Sequence, residues 1–176
     1  MTKVLTIPGI NNSGPDHWQT LWEAKHDHIE RIQQADWDFP HCEDWVKNIE
    51  SAVQKSGADT ILVAHSLGTL ALAQWIGQTK LPIKAALFVS IPDPQGINFP
   101  KEAQGFDSIP NLHLSFPSII VMSTDDPYGN VDKTKALAQA WGSELVVIEN
   151  CGHINASSNL GEWQEGLELL RRLQAL

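Results

Sequence analysis

The chain has 176 residues, 42% of them hydrophobic and 19% charged, with 21 acidic against 12 basic side chains and a formal charge of −9. This length predicts a single domain spanning 1–176 with a real core, and the composition excludes a disordered chain. No Lys/Arg cluster exceeds the pair Arg171–Arg172, which argues against nucleic acid and anionic membrane surfaces as partners. No apolar run approaches the ~20 residues of a membrane span.

In chain order, Val4–Ile7 is a β-branched run that ends at Pro8-Gly9. This break leaves too short an apolar stretch for a secretory leader and predicts a cytoplasmic protein. Asp16 is the expected N-cap of a helix with Trp18, Leu21 and Trp22 on one face. Ile29–Ile32 is a weak, polar strand of the kind found at a sheet edge. Glu43–Lys55 places Trp45, Val46, Ile49, Ala52 and Val53 at helical spacing. Thr60–Ala64 predicts a buried strand, Leu67–Ile76 an apolar helix and Ala85–Val89 a further strand. Residues 91–116 hold Pro92, Pro94, Pro100 and Pro110 and show no period. Ser118–Met122 predicts a strand, Val131–Trp141 a helix, Leu145–Ile148 a strand and Leu160–Leu173 a closing helix. Strands without polar alternation, separated by helices, mean a mostly parallel sheet covered on both faces, a three-layer α/β sandwich. The expected order is 2-1-3-4-5-6, with a ligand site where the order reverses, at the carboxyl ends of strands 1 and 3.

The chemical signal lies at those strand ends. Ala64-His65-Ser66-Leu67-Gly68 has the small-x-Ser-x-small form of a nucleophile elbow, between a strand and a helix whose free N–H groups favour an oxyanion. An acid and a histidine should follow in that order, and they do. Asp125 and Asp126 lie past the strand at 118–122, and His153 lies past the strand at 145–148. Only one of the adjacent carboxylates, Asp125 or Asp126, can face His153; the extended backbone that Pro127 imposes leans toward Asp126. The expected oxyanion donors are the N–H of Leu67 and that of Ile10, or else of Asn11, in the loop after the first strand. Asn11, His17 and Tyr128 are candidates for the pocket wall. His65 reads as packing, because as the neighbour of Ser66 it points away from the hydroxyl. One or two of the seven tryptophans are candidates for an acyl pocket. No phosphate-binding glycine motif occurs, Cys42 and Cys151 form no C-x-x-C pair, and the His26/His28 pair lacks a third ligand, so neither metal nor organic cofactor is expected.

Ile7-Pro8-Gly9, His17-Trp18, Trp22, His65-Ser66-x-Gly68, the Ser-Thr-Asp-Asp-Pro-Tyr segment at 123–128 and Cys151-Gly152-His153-Ile154-Asn155 together resemble the small α/β-hydrolases of the YdeN / retinoblastoma-binding-protein type. The resemblance spans nearly the whole chain. It implies an α/β-hydrolase fold and a triad of Ser66, Asp126 and His153, and so leans the same way between Asp125 and Asp126. The family's elbow usually opens with Gly where this chain has Ala64, whose methyl should shift the turn slightly. With only 26 residues in the 91–116 segment, no large cap domain and a shallow, accessible site are expected. The expected activity is hydrolysis of small acyl esters through an acyl-enzyme on Ser66, or of peptides or thioesters by the same groups. The rival is a protein-interaction module on this fold with little turnover, its partner meeting residues 91–116.

Overall fold

The computed structural model describes residues 2–176. Six strands, β1 (Lys3–Ile7), β2 (Ile29–Arg31), β3 (Thr60–His65), β4 (Ala85–Val89), β5 (Ser118–Ser123) and β6 (Glu144–Ile148), form one sheet in the order β2-β1-β3-β4-β5-β6. Every pairing is parallel. The expected order is therefore observed, and the sheet reverses between β1 and β3.

Five α-helices cover it: α1 (Trp18–Lys25), α2 (Cys42–Ser56), α3 (Leu67–Ile76), α4 (Val131–Trp141) and α5 (Gln164–Gln174). Alternate residues of each strand face opposite layers. Leu62, Ala64, Phe88 and Ile120 pack with Trp45, Ile49, Leu70 and Trp141 from α2, α3 and α4. Ile61, Val63, Leu87 and Val121 pack with Trp18, Trp22, Leu167 and Leu170 from α1 and α5. Each fully buried Val, Leu, Ile or Phe among them contributes about 1.5–3 kcal/mol, which is why the central strands read as unbroken apolar runs.

Several element ends move by one residue from expectation, and three differences have an identifiable cause or consequence. The N-cap of α1 is His17, whose Nδ1 accepts the Gln19 N–H at 3.2 Å, rather than Asp16. The closing helix starts at Gln164, because Gly161 and Trp163 adopt φ of 55° and 43° and break the period before it. β2 stops at Arg31, one residue short of the apolar Ile32. Residues 91–116 form no helix or strand. They contribute a single bridge, His41 to Gln104, and bury Ala103, Phe106 and Leu114 in the α2–α3 layer. None of the described helices is long and apolar enough to cross a membrane.

Candidate active site

Strand register brings the site together. Ile7 pairs with Ala64 across β1 and β3, so the two chains leave the sheet side by side at Gly9 and Ser66. Ser123 pairs with Ile148 across β5 and β6, so the carboxylate and histidine loops also emerge as neighbours. All four loops leave the carboxyl end of the sheet.

Ser66 caps α3 with φ 54° and ψ −129°, a left-handed backbone that a non-glycine residue adopts only under constraint. The constraint is steric. A Cβ on Gly68 would lie 2.5 Å from the Pro8 carbonyl oxygen, and one on Gly9 would lie 2.8 Å from Ser66 Cβ. Two glycines thus let the β1 loop lie against the elbow. Ala64 sits fully buried in the sheet, and its methyl is absorbed into the α2–α3 core while the elbow forms.

Ser66, His153 and Asp126 form one hydrogen-bonded chain. Ser66 Oγ lies 2.7 Å from His153 Nε2, and Asp126 Oδ1 and Oδ2 lie 2.8 and 2.9 Å from His153 Nδ1. A carboxylate only accepts, so Nδ1 carries the proton and Nε2 presents its lone pair to the hydroxyl. Asp126 Oδ1 also accepts the Tyr128 N–H at 2.9 Å. Its side chain is 5% exposed, held between that turn and the imidazole. Asp125 has a different task. Its Oδ1 accepts from Ser123 Oγ at 2.7 Å and from the Gly152 N–H at 2.8 Å, and these two bonds hold its carboxyl below the usual range. The adjacent acids are thus divided between the imidazole and the loop that carries it.

The two expected oxyanion donors, the N–H groups of Leu67 and Ile10, belong to residues that line the same cavity as Ser66. Leu67 opens α3, where an N–H has no partner within the helix. The Ile10 N–H forms no hydrogen bond among the described residues. The Asn11 N–H donates to the Trp37 carbonyl at 2.8 Å, which removes it as an alternative. Arg31 braces this loop from β2 through Asn12 Oδ1 at 2.9 Å and the Ser13 carbonyl at 3.0 Å.

A cavity of about 670 Å³ opens over Ser66. Asn11, His17 and Tyr128, the three expected pocket residues, all line it. No tryptophan lines it, so the expectation of a tryptophan-walled pocket fails: six of them are 2% exposed or less, each used for core packing. The 91–116 segment supplies Pro92, Asn98, Pro100 and Glu102 to the wall. Asp38 and Phe39 come from the loop before α2. His17 is buried, and that burial, with Arg31 and His153 nearby, lowers its pKa to about 4. His65 is lowered well below the ordinary histidine value, mainly by burial. Burial also pushes the Cys151 thiol up, and Cys42 and Cys151 are both free.

Sequence reasoning missed Ser123, Arg31, Asp38 and Glu102, whose contributions come from folding and have no local motif. A model of the serine hydrolase family matches residues 4–172. Among solved structures, a protein described as a YdeN-like hydrolase from Pectobacterium atrosepticum is 31% identical, with 98% of this chain and 90% of that one covered and a TM-score of 0.87. The ydeN product of Bacillus subtilis is 19% identical over the whole of both chains, with a TM-score of 0.84. Est816, an N-acyl homoserine lactone degrading enzyme, is 15% identical over 97% of this chain and 92% of its own, with a TM-score of 0.74. These last two similarities are similarities of fold. No curated protein matches the chain.

Proposed function

Because the chain belongs to the serine hydrolase family, in its small YdeN-like branch, we propose that it hydrolyses small, non-anionic carboxylic esters through an acyl-enzyme on Ser66. The observation that carries this reading is the hydrogen-bonded chain from Ser66 Oγ to His153 Nε2 and on to Asp126. His153 Nε2 takes the hydroxyl proton as Ser66 Oγ bonds to the acyl carbon. Asp126 holds the Nδ1–H tautomer and stabilises the imidazolium. The Leu67 and Ile10 N–H groups receive the oxyanion, a contribution of about 10²–10³ in rate for each well-placed donor. His153 then returns the proton to the leaving alcohol. In the second half it takes a proton from water, whose oxygen attacks the acyl carbon, and the acid departs with Ser66 restored.

The cavity supports the substrate class. About 670 Å³ suits a small or medium acyl group. Asp38 and Glu102 line it, no Lys or Arg does, and neither acid joins an ion pair among the described residues. Such a wall favours neutral over anionic esters. The test is labelling by a fluorophosphonate probe, together with turnover of an ester series varied in acyl length and charge. Wild type is labelled and turns over short neutral esters faster than anionic ones, while Ser66→Ala is neither labelled nor active. Equal labelling of the two proteins overturns the assignment.

A further inference from the structure

The turn that presents His153 is held in a backbone conformation it would not adopt alone. Gly152 and Ile154, on either side of His153, have φ of 56° and 47°, and Asn150 has 52°. For a β-branched residue such as Ile154 that region is a steric outlier, which persists only where the surroundings over-determine it. On the near side of His153, Ser123 Oγ accepts the Cys151 N–H at 2.9 Å and Asp125 Oδ1 accepts the Gly152 N–H at 2.8 Å. On the far side, two ring N–H groups donate to consecutive carbonyls. His65 Nε2 lies 2.9 Å from the His153 oxygen, and Trp18 Nε1 lies 2.8 Å from the Ile154 oxygen.

Both donors are deeply buried: His65 is 4% exposed and Trp18 is 1% exposed. A carbonyl only accepts, so His65 carries its proton on Nε2, and burial keeps the ring neutral. The His65 ring also lies 5.0 Å from that of His153, while Tyr128 lies 4.6 Å from it. His65 and Ser66 are neighbours in the chain. The elbow therefore carries both the nucleophile and a tie to the main chain of its base, one peptide apart.

We propose that His65 and Trp18 are positioning residues, a two-point clamp on the His153–Ile154 carbonyls that fixes Nε2 against Ser66 Oγ. The clamp rests on the catalytic reading above, and it gives the His17-Trp18 and His65-Ser66 pairs of the sequence a common purpose. It predicts a loss in kcat that outweighs any change in KM as the base drifts: Trp18 does not line the cavity, and His65 reaches its wall with only 4% of its surface exposed.

The experiment compares three variants on a short neutral ester, with folding checked by circular dichroism. His65→Met keeps the bulk and removes the donor, His65→Gln keeps an N–H within reach, and Trp18→Phe keeps a ring without its N–H. The expected losses in kcat are about 10–100-fold for His65→Met and about 10-fold for Trp18→Phe, the scale of a small misplacement of a reacting group, with KM within about twofold. His65→Gln recovers to within about fivefold of wild type. The double variant His65→Met/Trp18→Phe falls no further than about the worse single one, because both ties hold one turn. If folded His65→Met and Trp18→Phe keep kcat within about twofold, or His65→Gln is no better than His65→Met, the clamp is overturned. Should His65→Met fail to fold, Trp18→Phe carries the same test alone. A wild type that the fluorophosphonate leaves unlabelled defeats the catalytic reading, whereas a labelled wild type with unaffected clamp variants defeats only the clamp.

Discussion

The turns that carry the proposed nucleophile and the proposed base are both left-handed, at φ 54° for Ser66 and φ 47° for Ile154, yet they are held by opposite means. The elbow is held by exclusion: Gly9 and Gly68 let main chain press against main chain at distances no side chain could share. The base turn is held by donation and acceptance, through Ser123, Asp125, His65 and Trp18. A turn closed by steric contact leaves small residues at fixed spacing in the sequence. A turn closed by distant polar groups leaves no such trace. The elbow should therefore fail abruptly when a methyl is added, and the base turn should fail by degrees as its ties are cut.

The largest effect expected tests the division of labour between the two acids. Asp126→Asn removes the charge beside His153 Nδ1 and permits the wrong tautomer, so kcat should fall by about 10⁴-fold. Asp125→Asn leaves that ring contact alone, and its amide oxygen still accepts the Gly152 N–H, so the loss should be about 10-fold or less. Steady-state kinetics on one ester measures both. Comparable losses from the two substitutions would mean that the base turn and the relay act as one unit.

Next come the glycines on either side of the comparison. Gly68→Ala drives a methyl into the Ile7 and Pro8 carbonyls, and should destabilise the fold by about 3–5 kcal/mol in urea unfolding. Gly152→Ala meets nothing nearer than Ser158 Oγ at 3.8 Å. Its cost is then only the left-handed backbone, about 1–2 kcal/mol. Equal costs would show that exclusion is not what separates the two turns.

That contrast explains what was legible. The order of strands and the elbow followed from apolar runs and from the spacing of Ala64, Ser66 and Gly68, because each is a local pattern. The Asp126–His153 pairing was legible only as far as the order of residues and Pro127 allowed. The second role of Asp125 was not, since it depends on where Ser123 and Gly152 meet across β5 and β6. His65, expected only to pack, is buried but also hydrogen-bonds the His153 carbonyl, a partner 88 residues away that has no sequence signature. The starts of α1 and α5 were misplaced for a related reason. His17 outcompetes Asp16 as a cap because folding buries its ring against His65 and Trp18, and Trp163 turns left-handed to reach the tryptophan cluster of α1.

The last effect, which develops only in acid, separates the two turns by pH. His17, which caps α1 behind the nucleophile loop, has a folded pKa of about 4, below its ordinary 6.5. Between those values the unfolded chain binds a proton that the folded chain refuses. This contribution to stability is full above about pH 6.5 and is lost as pH falls toward 4, to a total of about 2–3 kcal/mol. His65 adds in the same direction, because burial lowers it as well. Asp125 in the base turn works in a different window. Its folded pKa lies below the ordinary 3.8, so the stability it contributes is intact above that value and disappears only as pH falls through the lowered one. The substitution His17→Asn separates the two, since Asn supplies a capping oxygen for the Gln19 N–H without titrating. Thermal or urea unfolding from pH 7 to 4 should show a shallower loss in His17→Asn than in wild type, by about 2–3 kcal/mol over the interval. An identical slope in the two proteins would move the acid sensitivity off His17, onto His65 or the base turn.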